Sequence, residues 1–215
     1  MTSAGPTTDD ESEPRAARKR RAILGAAATI FLRNGYVGTS MDEVAARATV
    51  SKQTVYKHFA DKEALFSELV TTTVAEASDA VHDEVLHLED SGRIEADLRD
   101  LARRQLAKVL QPQVLQLRRL VIGEASRFPA LGRAFYDLGP GRTLTTLAGA
   151  FAQLAERGAL RLEDAALAAE HFNWLIMAIP LNRAMLLGED EPPASELERY
   201  AHAGVRVFLA AYGPR

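Results

Sequence analysis

The sequence predicts an all-α protein in which a small N-terminal helical unit precedes a larger helical body. Apolar residues recur at helical spacing from Arg15 onward, and no segment shows the alternating pattern that is typical of a strand. Serine, threonine or aspartate precedes several periodic segments, where it can cap a helix, and glycine or proline separates many of them. We therefore expect helices joined by short turns.

The composition narrows the class of protein. The 215 residues suffice for one small and one medium core. There is no cysteine, which excludes disulfides and thiolate metal sites. Residues 1–14 lack the apolar stretch of a signal peptide, and the longest apolar run, Trp174 to Leu181, is too short to span a bilayer. We expect a cytoplasmic protein that does not interact with membranes.

Charge is distributed unevenly along the chain. Residues 1–14 have a net charge of −4, residues 15–62 of +7 and the remaining residues of −6, which together give the net charge of −3. A small basic block beside an acidic body suggests that one region meets a polyanion. The alternative is a solvated charged face, and charge alone does not decide between the two.

The N-terminal third is predicted to hold a disordered acidic tail over 1–14 and a helical domain over 15–62. The first helix is expected over 15–34, with Gly35 after it at a position where positive φ is tolerated. Ser40 and Glu43 form a capping box for a second helix. After a tight turn at Thr49 and Val50, Ser51 can cap a third, which is expected to run from Lys52 to about Phe59.

The body, residues 63–215, is predicted to be helical to its end. A long helix is expected from about Lys62 to Leu88, roughly 40 Å in length. Gly139-Pro140-Gly141 is expected to break the chain, and Pro180 to kink or split its helix. Further helices are expected at about 94–110, 114–127, 129–138, 142–157, 163–187 and 194–212.

Residues 40–59 carry the strongest functional signal. Two short helices joined by a tight turn, the second with its own cap, are typical of a helix-turn-helix, whose second helix enters the DNA major groove. The apolar residues of this segment can pack on the first helix, which leaves a donor-rich outward set without a carboxylate. Lysine, glutamine and threonine suit base edges, whereas tyrosine, histidine and a further lysine suit phosphates. The set is Lys52, Gln53, Thr54, Tyr56, Lys57 and His58.

A longer string closely resembles the TetR family of regulators. It consists of Gly35-Tyr36, the run from Thr39 to Ala45, and the run from Val50 to Leu65, which contains Val-Ser, Tyr-x-His-Phe and Lys-Glu-x-Leu at the family's spacing. The turn usually has glycine before Val-Ser, whereas this chain has Thr49. If that position needs positive φ, threonine adds strain of about 1 kcal/mol.

The resemblance implies a homodimer that reads a palindromic operator, with one recognition helix in each of two successive major grooves. By resemblance the DNA-contact positions are Ser40, Lys52, Gln53, Thr54, Tyr56, His58 and Lys62. The stretch from Leu117 to Pro129, with the residues around Phe135 and Gly139 that follow, is similar to the AefR-like C-terminal subgroup. The family also implies a C-terminal domain that binds a small molecule and dimerises through its last two long helices, whereas the subgroup names no ligand.

Other functional classes have weaker support. Glu84-x-x-His87 resembles half of a di-iron motif, but such a site needs a second copy and two further carboxylates. His82 and His87 are five apart and do not share a helix face well. No nucleophile, base and acid can be read as a set, and no metal, cofactor or catalysed reaction is predicted. The alternatives are a helical enzyme or metal-binding bundle with an incidental hairpin, and a structural DNA protein without ligand control.

The body supplies candidates for a ligand pocket and a dimer interface. Large apolar residues with a few polar neighbours are typical of a pocket for an unknown, largely hydrophobic molecule, although core or dimer packing explains them as well. The pocket candidates are Arg118, Val121, Phe135, Tyr136, Leu147, Phe151, His171 and Trp174. The dimer candidates on the last two helices are Leu175, Ile179, Leu186, Val205, Phe208 and Leu209.

Overall fold

The computed structural model describes residues 14–86, 88, 93–188 and 192–214. Over these residues the chain is helical and contains no strand, which confirms the predicted fold class. It divides into two compact units along the chain, one ending at Leu69 and the other beginning at Val70. None of the helices in these ranges is long and apolar enough to cross a membrane.

The first unit is built from α1, Arg15–Gly38, α2, Met41–Arg47, α3, Lys52–His58, and the first turns of α4, Lys62–Leu86. Gly35 interrupts α1 with φ 71° and ψ 178°, close to the predicted end of regular helix. The core of this unit includes Phe31 and Phe66, whose ring centroids are 4.9 Å apart. Leu65, Phe66 and Leu69 are buried here, so the first unit extends past the expected boundary at Lys62.

The second unit contains the rest of α4 and six further helices. These are α5, Ile94–Val109, α6, Pro112–Glu124, α7, Pro129–Tyr136, α8, Arg142–Glu156, α9, Ala165–Leu187, and α10, Ala194–Tyr212. A cluster of three aromatic rings, Phe151, Phe172 and Phe208, lies in its core with centroids 5.1–5.5 Å apart. Phe172 meets the other two rings edge to face.

Proline and glycine positions account for the differences from the predicted boundaries. Helix α6 begins at Pro112, two residues before the expected start at 114, because the first turn of a helix needs no backbone N–H from proline. Gly139, Pro140 and Gly141 do not break the chain, since they lie in a single π-helical turn, Asp137–Gly141, that joins α7 to α8. Pro180 lies within α9 and does not split it. Asp164 caps that helix by accepting from the Leu167 backbone N–H at 3.0 Å.

Candidate DNA interface and ligand cavity

Helix α3 presents one face to the core and the other to solvent. Its cap, Ser51, accepts from the Thr54 backbone N–H at 3.1 Å, and Val55 and the following Phe59 are buried. These anchors leave Lys52, Gln53, Tyr56 and Lys57 exposed, as the sequence predicts. The exposed face therefore offers several hydrogen-bond donors and two positive charges to a polyanion.

Two predicted DNA-contact residues on α3 are less exposed. Thr54 is half-buried, and its hydroxyl lies 2.8 Å from the Ser51 hydroxyl. His58 is also half-buried, with its ring centroid 6.4 Å from that of Phe59. Both side chains are thus partly packed against their own unit and only partly exposed on the outward face of α3.

The turn between α2 and α3 depends on a strained residue. Thr49 has φ 55°, and it is the only non-glycine residue with positive φ in the described chain. This conformation lets the Val50 N–H donate to the Ala45 carbonyl at 3.1 Å, which closes the C-terminus of α2. A β-branched residue in this region loses about 1–2 kcal/mol. The sequence analysis expected strain here if the position needs positive φ, and Thr49 has that conformation.

Lys52 at the start of α3 is paired with a residue of α2. Its ammonium lies 2.8 Å from one Asp42 carboxylate oxygen and 3.1 Å from the other. This hydrogen bond, together with the negative charge of Asp42, raises the pKa of Lys52 above its ordinary value. The lysine that the sequence predicts to read bases is therefore held by a carboxylate of its own chain.

Ser40 and Lys62, two further predicted DNA-contact residues, both make hydrogen bonds within the first unit. Ser40 caps α2 by accepting from the Glu43 backbone N–H at 3.2 Å. The Lys62 ammonium donates to the carbonyls of Tyr36 and Thr39 at 2.9 and 3.0 Å and lies 4.6 Å from the Tyr36 ring centroid. Lys62 thus pairs with carbonyls at the C-terminal end of α1, a role that the sequence analysis did not predict.

The second unit contains a cavity of about 460 Å³. Most of its wall is apolar, and Tyr136 and Trp174, each about half exposed, border its opening. The apolar and aromatic lining consists of Val74, Ala77, Val109, Val114, Leu117, Phe135, Tyr136, Pro140, Leu144, Trp174, Met177 and Leu181. A cavity of this size and composition is typical of a small-molecule site.

Polar groups interrupt this wall at defined places. Gln105 is almost fully buried, and its amide N–H donates to Asn173 Oδ1 at 2.8 Å. Arg118 places its guanidinium carbon 5.4 Å from the Phe135 ring centroid, and burial lowers the pKa of this group from its ordinary value. Ser78, Lys108 and Glu170 also line the cavity.

Four of the eight predicted pocket residues line the cavity: Arg118, Phe135, Tyr136 and Trp174. The other four do not. Leu147 and Phe151 pack in the core of the unit, and Val121 is buried outside the cavity lining. His171 is exposed and its Nδ1 lies 2.6 Å from the Tyr212 hydroxyl. Apolar periodicity marks the inward face of a helix but does not separate core positions from cavity positions.

Sequence reasoning missed Gln105 and Ser78, the two most deeply buried polar residues of the lining. Both lie on the apolar faces of their helices, Gln105 beside Leu101 and Leu106, and Ser78 one turn after Val74. A polar residue within an apolar stripe was the signal that could have found them.

Known protein families match the sequences of both units. The family model described as "Bacterial regulatory proteins, tetR family" matches residues 23–69. The model described as "AefR-like transcriptional repressor, C-terminal domain" matches residues 96–214. The second match alone covers more than half of the chain. The chain belongs to the TetR family.

Individual relatives agree with this assignment. A TetR-family regulator from Mesorhizobium loti is 45% identical, with a TM-score of 0.89 over 94% of this chain and 100% of that one. The flavonoid-responsive regulator FrrA is 32% identical, with a TM-score of 0.71 over 93% and 99%. The transcriptional regulator AcrR of Shigella flexneri is 32% identical over 53% of this chain, and the match spans only 50% of AcrR. TetR-family proteins are transcriptional regulators, not enzymes.

In this TetR-family chain, large apolar side chains are exposed along α9. They include Trp174, Leu175, Ile179 and Leu186, whose exposed fractions are 53, 40, 56 and 78%. Leu175, Ile179 and Leu186 thus remain candidates for a dimer interface. Val205 and Phe208 do not, because both are fully buried in the core of their own protomer, and Leu209 is partly buried there.

No cluster of metal-ligating residues occurs in the part of the chain that the structure describes. His82 Nδ1 lies 3.1 Å from the Thr146 hydroxyl, so this histidine has a structural partner. His87 and the side chain of Glu84 lie outside the described residues.

Proposed function

We propose that this TetR-family chain is a repressor that binds a palindromic operator as a homodimer and is released by a small, largely hydrophobic molecule. The observation that carries the proposal is the combination of an exposed, donor-rich α3 in one unit with a 460 Å³ cavity in the other. Neither a helical enzyme nor a general DNA-coating protein needs both features.

DNA reading is assigned to the outward face of α3. Lys52, Gln53 and Thr54 contact base edges, since lysine suits guanine, glutamine suits adenine and threonine can touch the thymine methyl. Tyr56, Lys57 and His58 contact phosphates, and so do Ser40 and the backbone N–H groups at the start of α4 around Lys62. The net charge of +7 over residues 15–62 favours this placement.

Dimerisation is assigned to α9 and α10. A row of exposed leucine and isoleucine side chains on one helix is unfavourable in water and favours a partner surface. A two-fold dimer also matches two half-sites about one helical turn of DNA apart.

Ligand control is assigned to the cavity. FrrA, one of the relatives, is described as flavonoid-responsive, which fits a cavity with aromatic residues at its opening. Val74 and Ser78 line the cavity on α4, and the same helix supplies Leu65 and Phe66 to the core of the first unit. A tenfold release of DNA requires the ligand to prefer the non-binding state by about 1.4 kcal/mol.

Selection of bound DNA from a random pool with the full chain tests the proposal. We expect one palindrome, whose affinity falls by about 10³–10⁵ between roughly 50 and 200 mM salt if the dimer makes about 6–10 phosphate contacts. Gln53→Ala and Tyr56→Ala should weaken binding, whereas Gln153→Ala on α8, exposed and outside α3, is the matched control. Equal binding by all three variants would contradict α3 as the reader.

Ligand control is tested next, on the selected operator. A hydrophobic compound that changes the emission of Trp174, the only tryptophan, should lower operator affinity over the same concentration range. A compound that titrates Trp174 while operator affinity stays fixed would contradict ligand-controlled release.

A further inference from the structure

The cavity wall contains a buried acceptor without a partner. Gln105 is 2% exposed, and its amide nitrogen is fixed by the hydrogen bond to Asn173. Its carbonyl oxygen, Oε1, has no hydrogen-bond partner among the described residues. Because a carbonyl oxygen can only accept, a molecule in the cavity that brings a donor can pair with it.

The same wall contains a buried donor without a partner. Arg118 lines the cavity, and its Nε–H is buried and unpaired within the described part of the chain. Its guanidinium carbon lies 5.4 Å from the Phe135 ring centroid. The salt bridges found among the described residues do not include Arg118. A partly buried guanidinium without an anion favours an anionic ligand, since charge-assisted hydrogen bonds are stronger than neutral ones.

Ser78 adds a third unpaired group. Its side chain is 5% exposed, and its hydroxyl oxygen has no partner among the described residues. A buried polar group without a protein partner is unfavourable, because burial removes water without providing a hydrogen bond. All three lie on the wall of one largely apolar cavity, where a ligand can supply partners that the described residues do not.

We propose that the cavity binds an aromatic carboxylic acid that also carries a hydroxyl group, a ligand class that rests on the proposed function. The ligand hydroxyl donates to Gln105 Oε1 and its carboxylate accepts from Arg118 Nε–H. Its rings lie against Phe135, Tyr136 and Trp174. An ether in place of the hydroxyl leaves Gln105 unpaired, and an ester in place of the acid leaves Arg118 without an anion.

Three matched probes test this assignment on the full chain. They are para-(para-hydroxyphenyl)benzoate, its methyl ether at the hydroxyl, and its methyl ester at the acid. Affinities are measured by calorimetry and by the emission of Trp174. The hydroxy acid should bind at least about tenfold more tightly than either derivative, since each derivative leaves one buried group unpaired. Equal affinities for the three probes, or no binding of the hydroxy acid at millimolar concentration, would overturn the proposal.

Two variants assign each preference to its residue. Gln105→Met should abolish the preference for the hydroxyl over the ether while keeping the preference for the acid, and Arg118→Met should do the opposite. Gln153→Met and Arg133→Met are the matched controls, since both residues are exposed and outside the cavity lining. Unchanged preferences in a folded Gln105→Met or Arg118→Met would overturn the proposal. The probe series on the unaltered chain tests it even if a variant does not fold.

Measuring probe binding and operator affinity on the same protein distinguishes a failure of the ligand class from a failure of the proposed function. If the probes bind with the expected preferences but leave operator affinity unchanged, the ligand class stands and ligand-controlled release fails. If operator is released by neutral apolar compounds and the hydroxy acid does not bind, release stands and the ligand class fails.

Discussion

The ammonium of Lys52 and the carboxylate of Asp42 lie 2.8 Å apart, so the first residue of α3 is held by α2 across the turn that joins them. Both side chains are more than half exposed. A surface pair of this kind stabilises the fold little and weakens with salt. We expect its larger effect on DNA binding, because Asp42 occupies the charge of a lysine that we propose to read bases.

Asp42→Asn should therefore strengthen operator binding, by about two- to fivefold at low salt, since it frees Lys52 and removes repulsion of phosphates. Gel-shift titration at two salt concentrations measures the effect. Glu156→Gln, an exposed carboxylate on α8, is the matched control. The gain should disappear in Asp42→Asn combined with Lys52→Ala, and a gain that persists there would contradict release of Lys52 as its cause.

The charge of Lys52 should not change near neutral pH. The pKa of Lys52 is raised from its ordinary value of 10.5, so the stabilising contribution is complete below that value. It is lost only as pH rises through the still higher pKa of the folded state. Between pH 6 and 8, roughly, any change in operator affinity therefore has to come from groups other than Lys52.

Lys62→Ala should lower the stability of the first unit as well as DNA affinity. The substitution removes two hydrogen bonds to the carbonyls that end α1, and a partly exposed charged donor of this kind contributes about 1–2 kcal/mol. Chemical denaturation measures the loss. Lys57→Ala is the control, because Lys57 is exposed on α3 and should weaken binding without lowering stability. An unchanged denaturation midpoint in Lys62→Ala would contradict the capping role.

Thr49→Gly should stabilise the protein. Relief of about 1–2 kcal/mol of left-handed strain exceeds the extra chain entropy of glycine, which leaves a net gain of about 0.5–1 kcal/mol. Thermal unfolding measures the gain. Thr145→Gly is the control, because Thr145 is exposed within α8, where glycine should destabilise. Loss of stability in Thr49→Gly would show that contacts of the threonine side chain outweigh the strain.

Local signals in the sequence predict most of the helices. Ser40, Ser51 and Asp164 each cap the helix that follows, because a cap acts only on its own first turn. The π-helical turn at Gly139 and Pro140 was not predictable in this way. The same residues are typical of loops, and only the packing of neighbouring helices determines that they stay helical here.

Contacts between helices limit what can be predicted about the sites. The exposed face of α3 follows from its period, but the pairing of Lys52 with Asp42 joins residues ten apart in the chain. Similarly, Phe135 lines the cavity and Phe151 packs in the core, although both occupy apolar helix faces. The difference depends on how α7 and α8 pack against their neighbours, and periodicity does not encode it.

Ile179→Glu should convert the proposed dimer to a monomer. Ile179 is 56% exposed on α9, so a charge there should not disturb the protomer but should be unfavourable in an interface. A loss above about 2 kcal/mol, or about thirtyfold in dissociation constant, is expected for a central contact. Sedimentation at micromolar concentration measures it. Ile122→Glu on α6 is the matched control, since Ile122 is 61% exposed and lies outside α9 and α10. A dimer that persists in Ile179→Glu would place the interface elsewhere.

Gly204→Ala should destabilise the second unit because α10 packs against α9 at this glycine. A Cβ at Gly204 would lie 2.6 Å from Ile176 Cγ2 and 3.3 Å from backbone atoms of Leu175 and Ile176, so the two helices would have to move apart. The overpacking should lose about 1–3 kcal/mol, which exceeds the gain of about 1 kcal/mol in helix propensity. Gly149→Ala on α8 is the matched control, since no heavy atom lies within 4 Å of its Cβ position and alanine should stabilise the helix. Thermal unfolding should therefore shift in opposite directions for the two variants. A stabilised Gly204→Ala would show that α9 and α10 separate easily at Ile176.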